Sequence, residues 1–391
     1  MVEGSFPFVS NIDYNLYVLF LYNKQKHFSK GFRNSIPYYI SKMFTQLVLL
    51  ISVLCTVNAS LLERFQQWSV DHKIELPSSD GDDGLFMHML VNWRENDRII
   101  DETNAKNLSY TLGHNHFSAL NREEFRSLMN FENNRMLMSD VSEVSEVSEV
   151  TQTHLRTGVS VSYPASVDWR SKGVVSPVQD QGQAGTCYTF STAAAVESAM
   201  AIKSGVLTKL SEQQIVDCST IKNGGPNMGV NGGQISATFD WIGKTNGLCT
   251  EAAYPYVSGT TKTTGTCQKT CTKVAGSDVQ SVFEVPVKSD SAMMTAISNT
   301  VVSIAIEADE SSFQLYKSGV FTGKCGTSLD HAVALVGYTD SYYILRNSWG
   351  LSWGQSGYMY IGKGNDPATG KPYNNGAGQC GLLMEASYPI V

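Results

Sequence analysis

From residue 163 to residue 391 the sequence contains one histidine, His331; the other six lie at positions 27, 72, 88, 114, 116 and 154. Any acid–base chemistry in that stretch that needs an imidazole therefore has one candidate. The same scarcity removes most zinc chemistry, because thiolates would have to supply nearly every ligand and no Cys-x-x-Cys spacing occurs. No metal and no cofactor is expected. Clustered Lys and Arg are also missing, and the formal net charge of −7 argues against a nucleic-acid partner, since phosphate binding needs concentrated positive charge. Long apolar runs are absent as well. The one stretch that stands out, Leu47 to Thr56, is too short for a comfortable membrane span, so no stable span is expected.

What is present is ordinary globular material. The chain has 391 residues, 42% hydrophobic and 17% charged, enough for two or three folding units with a sizeable core. Residues 43–59 run from Met43 through the apolar stretch to Val57-Asn58-Ala59, the small-residue pattern that signal peptidase needs. They read as a secretory signal cleaved after Ala59, which makes residues 1–42 a doubtful N-terminal extension. A core helix of a larger domain is the plainer reading of the same run. Entry to the secretory pathway implies a lysosome, vacuole or the exterior as destination. Of eight cysteines Cys55 leaves with the signal, and the other seven lie from Cys187 onward. An oxidising compartment pairs cysteines, so seven leaves one free thiol.

Residues 60–138 are polar and helical in character. Leu85-Phe86, Met89-Leu90, Trp93, Asn96-Asp97, Ile100 and Asn104 recur at three- and four-residue steps, the stripe of one amphipathic helix. Residues 139–162 include the repeat Val141-Ser142-Glu143, Val144-Ser145-Glu146, Val147-Ser148-Glu149, which buries no core and reads as an acidic linker open to processing. A compact region spans 163–391. Its first half carries helix signals: the Ala-rich run from Cys187 to Lys203, Ser211 as an N-cap with Gln214 three residues on, and the Ile235/Phe239/Ile242 face. Its second half is strand-like at 332–338, 342–346 and 358–361. Helices first and strands afterwards predict an α+β fold of two lobes with a cleft between them.

Cys187 follows the Gly-punctuated run Gln181-Gly182-Gln183-Ala184-Gly185-Thr186 and opens the Ala-rich helix. A thiol at a helix N-terminus is biased toward thiolate, and a nearby imidazolium lowers its pKa further. A buried cysteine is more often only a small hydrophobe, and a lone histidine only a satisfied core group. The odd thiol and the single histidine weigh against both plain readings. Together with Leu329-Asp330-His331-Ala332, Arg346-Asn347-Ser348-Trp349-Gly350 and Asn231-Gly232-Gly233, these motifs resemble the papain family, its cathepsin L-like branch, over the whole of 163–391.

The resemblance implies a papain-like fold with a helical first lobe, an antiparallel, β-barrel-like second lobe and a helical inhibitory prodomain at 60–138. It implies Cys187 as nucleophile, His331 as its base, Asn347 orienting the imidazole, and Gln181 with the Cys187 N–H as oxyanion donors. Trp349 matches the indole that covers the His–Asn bond, and Gly232 and Gly233 match the segment that pairs with substrate backbone. Gln234, Ile235, Ala305, Ala332 and Glu385 match the pocket for the P2 side chain, with Asp330 beside the base. Apolar walls favour apolar P2 residues, and an ionised Glu385 would also accept Arg. Protein and peptide substrates, the chain's own prodomain as inhibitor and a monomeric state are implied in the same way. Endopeptidase action is favoured because no histidine pair is present to block the cleft; a ligase would share the same residues, and a catalytically dead relative would lose Cys or His.

The resemblance pairs Cys218 with Cys267 and Cys325 with Cys380, leaving Cys249 and Cys271 for a third bridge, with Cys218–Cys271 as the alternative. The family's usual bridge beside the nucleophile has no counterpart, because Ala184 and Val230 occupy its two positions. In the prodomain Asn96, Ile100 and Asn104 match, whereas Leu85, Met89 and Trp93 stand where Glu, Arg and Phe are usual, and Ala119 replaces Asp in Gly113-x-Asn115-x-Phe117-x-Ala119. A looser inhibitor is expected.

Overall fold

The computed structural model describes residues 60–77, 83–129 and 163–391. The signal, the N-terminal extension and the acidic linker lie outside these. The chain divides into two compact units between Arg64 and Phe65, and the unit from Phe65 onward holds both the prodomain helices and the mature region.

The amphipathic stripe forms helix α1, Asp83–Asn104, with Trp93, Asn96, Asp97 and Ile100 buried while Leu85 stays 47% exposed. Two asparagines of this stripe close the backbone of the next segment. Asn96 Nδ2 donates to the carbonyls of Ser118 and Leu120 (both 2.9 Å), and Asn104 exchanges two bonds with the backbone of Leu112 (3.0 and 2.9 Å). A strand, β1 (Tyr110–Leu112), and a short helix, α2 (Arg122–Ser127), follow α1; Asn121 and Glu124 form a reciprocal capping box at the start of α2.

In the mature region α3 (Cys187–Ser204), α4 (Glu212–Cys218) and α5 (Ile235–Lys244) build the first lobe. Ser211 caps α4 by accepting from Gln214 N–H, as the sequence pattern predicts. The second lobe carries β4 (Val302–Ile306), β5 (Tyr316–Phe321), β6 (His331–Tyr338), β7 (Tyr342–Arg346), β8 (Tyr358–Gly362) and β9 (Ala386–Ile390), with β2 (Val167–Asp168) and β3 (Ser281–Glu284) at its margins. The strands run in the order β1-β5-β8-β7-β6-β4-β9-β3, with β2 on β6. The α+β class holds. The sheet is open rather than closed, β5 and β8 pair in parallel, and its outermost strand, β1, belongs to the prodomain.

Strand β6 explains how the lobes meet. All its residues from His331 to Tyr338 are buried, and alternation gives each face its own core. Ala332, Ala334 and Val336 share a core with the first-lobe helices and Cys187. Val333 and Leu335, and Tyr338 beyond the register shift between Leu335 and Gly337, pack into the other, which also takes in Ile100, Tyr110, Leu112, Phe117 and Phe125 of the prodomain. Ser191 Oγ donates to the Val333 carbonyl (2.7 Å), tying α3 to the sheet one turn after Cys187.

Three disulfides are formed, Cys218–Cys267, Cys249–Cys271 and Cys325–Cys380, and Cys187 is the free cysteine of the described residues. No helix among the described residues is long and apolar enough to cross a membrane.

Candidate active site

Cys187 is the first residue of α3 and is 1% exposed. The Ala332 N–H stabilises its sulfur, so the thiol lies against the start of β6, where His331 is the first residue. His331 is fully buried. Its Nε2 lies 2.8 Å from Asn347 Oδ1, which also accepts the Ser348 N–H at 2.8 Å. An oxygen that already accepts one N–H fixes the amide orientation, so Nε2 carries the proton and Nδ1 the lone pair. Nδ1 has no hydrogen-bond partner within the protein. The Trp349 indole stacks on the imidazole with centroids 4.5 Å apart and planes 23° apart.

Gln181 is held at both ends of its side chain. Ser348 Oγ donates to Oε1 at 2.6 Å, and Nε2 donates to the Ala184 carbonyl at 2.9 Å. Its own N–H reaches the Ser348 carbonyl (2.8 Å), so one short segment, 347–349, positions imidazole, indole and amide together.

The pocket positions also converge. Ala305 and Ala332 are register partners in β4 and β6, Ala305 N–H bonds the Glu385 carbonyl, and Ile235, Ala305 and Ala332 share one core with Cys187. Glu385 and Gln234 are half-buried. Gly232 and Gly233 are buried, and a Cβ on Gly233 would sit 2.3 Å from Asn227 Oδ1 and 2.7 Å from the Tyr188 ring. Asp330 is turned inward: Oδ1 accepts the Ala308 N–H at 2.7 Å and the residue is 3% exposed.

The charge state departs from the sequence expectation. Burial pushes the Cys187 thiol up to about 12, outweighing the donors at Ala332 and Tyr188 that favour thiolate. Burial likewise pushes His331 down to about 4, against the raising effect of Asn347. A depressed thiol was expected from the helix terminus and the imidazole; burial raises it instead. Over the range between those values the pair is neutral thiol and neutral imidazole.

Nothing in the local sequence signals the prodomain's grip. Phe117 and Phe125 meet Trp349 edge-on, each with centroids 5.3 Å from it, and so stand behind the indole that covers His331. Gln314 Nε2 donates to the Phe117 carbonyl at 2.9 Å, and Asn115 Nδ2 to the Gln314 carbonyl at 2.7 Å. Arg122 spans Asp309 and Glu310, at 3.2 and 3.0 Å. On α1, Trp93 stacks on His114 (4.3 Å, 6°), and His88 and Asn92 bond Glu124.

Residues 163–390 match the family model described as papain family cysteine protease, and residues 65–125 match the cathepsin propeptide inhibitor domain. The chain belongs to the papain family of cysteine proteases. It is 40% identical over 302 residues to cysteine proteinase RD21A of Arabidopsis thaliana, covering 76% of this chain and 60% of that protein. It is 39% identical over 305 residues to the KDEL-tailed cysteine endopeptidase CEP2 of the same plant, covering 76% and 78%. Among solved structures, the proform of the ragweed pollen cysteine protease Amb a 11 superposes with a TM-score of 0.69 at 29% identity, over 85% of this chain and 94% of that one. The chain thus carries a papain-family cysteine protease domain together with its propeptide inhibitor domain.

Proposed function

We propose that Cys187 attacks a peptide carbonyl and that His331 is its base and then the acid for the leaving amine. The observation that carries this reading is the state of the imidazole: Nε2–H is committed to Asn347 Oδ1, and Nδ1 is left unpartnered at the strand start that contacts the thiol. Asn347 fixes tautomer and ring plane, and Trp349 keeps water off the bond that does so. Thiol and imidazole form the reactive ion pair once the site is hydrated and burial no longer penalises charge. The Cys187 N–H at the head of α3 and the Gln181 side-chain amide hold the developing oxyanion. The acyl thioester then forms as the amine departs with a proton from His331, and water releases the acid while regenerating the thiol.

Gly232 and Gly233 with Gln234 form the wall against which substrate backbone lies, and Ile235, Ala305, Ala332 and Glu385 form the P2 pocket. Apolar P2 residues are preferred, and Glu385 extends the preference to Arg. Processing within 139–162 releases 163–391 as the mature enzyme, which acts as a monomer. The three disulfides and the likeness to a KDEL-tailed endopeptidase support a secretory or vacuolar setting.

The test is labelling by a peptidyl epoxide after prodomain removal, with a peptide-library digest alongside. Adduct on Cys187 and cleavage inside peptides are expected, both lost in Cys187→Ala and His331→Ala. Unlabelled Cys187 in processed protein overturns the reading.

A further inference from the structure

The loop 181–186 has a candidate oxyanion donor at each end: Gln181 begins it, and the Cys187 N–H comes directly after it. No cysteine lies within that loop, so it is tied down without a covalent bridge. Two of its ties meet on one side chain. Tyr256 Oη lies 2.8 Å from the Gln181 carbonyl and 2.7 Å from Thr186 Oγ1. A phenol has one proton, which goes to the carbonyl because a carbonyl only accepts; Thr186 therefore donates to Tyr256. One hydroxyl thus bonds both ends of the loop.

The tyrosine is itself well anchored. Its ring meets Phe190 of α3 edge-on, with centroids 4.9 Å apart. Its N–H donates to Glu251 Oε1 at 2.7 Å, and Gln213 Oε1 of α4 accepts the N–H groups of Val257 and Ser258 (2.8 and 2.9 Å). Backbone packs on backbone just beyond: Gln183 N–H donates to the Gly259 carbonyl at 3.2 Å, and a Cβ on Gly182, whose φ is +62°, would sit 2.6 Å from that same carbonyl. The Tyr256 segment lies between the half-cystines Cys249 and Cys267, so the Cys249–Cys271 and Cys218–Cys267 bridges both constrain it.

We infer that Tyr256 is a positioning residue for the oxyanion hole, its hydroxyl clamping the two ends of the 181–186 loop so that the Gln181 amide and the Cys187 N–H converge on one point. The inference rests on the proposed roles of those two donors. It separates oxyanion stabilisation from nucleophile reactivity. Displacement of iodide from iodoacetamide by the thiolate forms a C–S bond and develops no oxyanion, so it needs the thiol and the imidazole but not the clamp. Peptide hydrolysis needs all of them.

The experiment compares Tyr256→Phe with the wild type, each expressed as the full chain and processed by an added protease. The expected kcat for a peptide amide falls on the order of 10- to 100-fold, somewhat less than the roughly 10²- to 10³-fold loss of a whole oxyanion donor. KM and the iodoacetamide rate stay within about twofold, and affinity for a peptidyl aldehyde, whose thiohemiacetal places an oxyanion at the same point, falls in step with kcat. A kcat within about threefold of wild type overturns the inference. Alkylation and hydrolysis falling together also overturn it, because the tyrosine would then support the site generally. If Tyr256→Phe does not fold, Thr186→Val removes one clamp partner while keeping the ring, and an unchanged kcat there overturns the inference equally. Gln181→Ala is run beside them. If it too leaves kcat unchanged, the oxyanion assignment is what fails; if it loses activity while Tyr256→Phe does not, only the clamp fails.

Discussion

Replacing Phe125 with alanine should open the zymogen without touching the catalytic residues. Phe125 is fully buried on α2, edge-on to Phe117 at 5.2 Å and to Trp349 at 5.3 Å, and Trp349 in turn stacks on His331. Truncating a buried Phe to Ala costs about 3–5 kcal/mol in total. Phe125 divides its contacts between its own prodomain and the mature enzyme, so roughly half, about 2 kcal/mol, falls on the closed state relative to the open one. At about 1.4 kcal/mol per decade this raises the open fraction roughly 30-fold. The assay is the iodoacetamide rate of Cys187 in the intact chain near neutral pH, read by mass, with processing followed on the same samples. That rate should rise by the same factor if the buried thiol becomes accessible only as the prodomain lifts. Phe125→Leu should recover most of the protection. A Phe125→Ala rate within about threefold of wild type refutes the coupling between this aromatic cluster and access to the thiol.

Two further outcomes are expected. Asp330 is pushed up to about 8, chiefly by burial and also by Asp309 and Glu307, against the lowering effect of the Ala308 N–H. A carboxyl raised in the folded state contributes stability that is complete below its unfolded value near 4 and is lost as pH rises to about 8. Melting of the zymogen should therefore fall between pH 4.5 and 8 by more in the wild type than in Asp330→Asn, and parallel curves would show that the carboxyl is not held neutral. In the P2 pocket, Glu385→Ala in the processed enzyme should lower kcat/KM for an Arg P2 substrate by about tenfold while a Leu P2 substrate changes less than twofold. Equal losses for both would remove the acidic role.

What could be read from the sequence was whatever repeats locally. The Ala-rich run gave α3 to within a residue, Ser211 and Gln214 gave the start of α4, and strand-like runs broken by Gly-rich turns gave β6, β7 and β8. The core strand β4, Val302–Ile306, was not distinguished, because a short apolar run buried on both faces has no period to betray it. Strand β1 was missed for another reason. Its three residues gain their extended form from pairing with β5, Tyr110 opposite Gly319 and Thr111 opposite Ser318, a partnership between segments some two hundred residues apart. The Phe117–Phe125–Trp349 cluster was out of reach on the same ground. The single histidine and the odd thiol were legible because they are counts, which no fold can alter.

The charge state of the site shows where such counting stops. A thiol at a helix start beside an imidazole should ionise readily, and the donors that would favour this, the N–H groups of Ala332 and Tyr188, are in place. The closed protein nevertheless holds the thiol at about 12 and the imidazole at about 4, with desolvation the largest cause for both. The sequence holds the attractive terms, which are local, but the opposing term depends on what covers the site, and the aromatic contacts on Trp349 are made from the far end of the chain. Buried, Cys187 and His331 are held neutral, and the backbone donors and Asn347 offset that burial only in part.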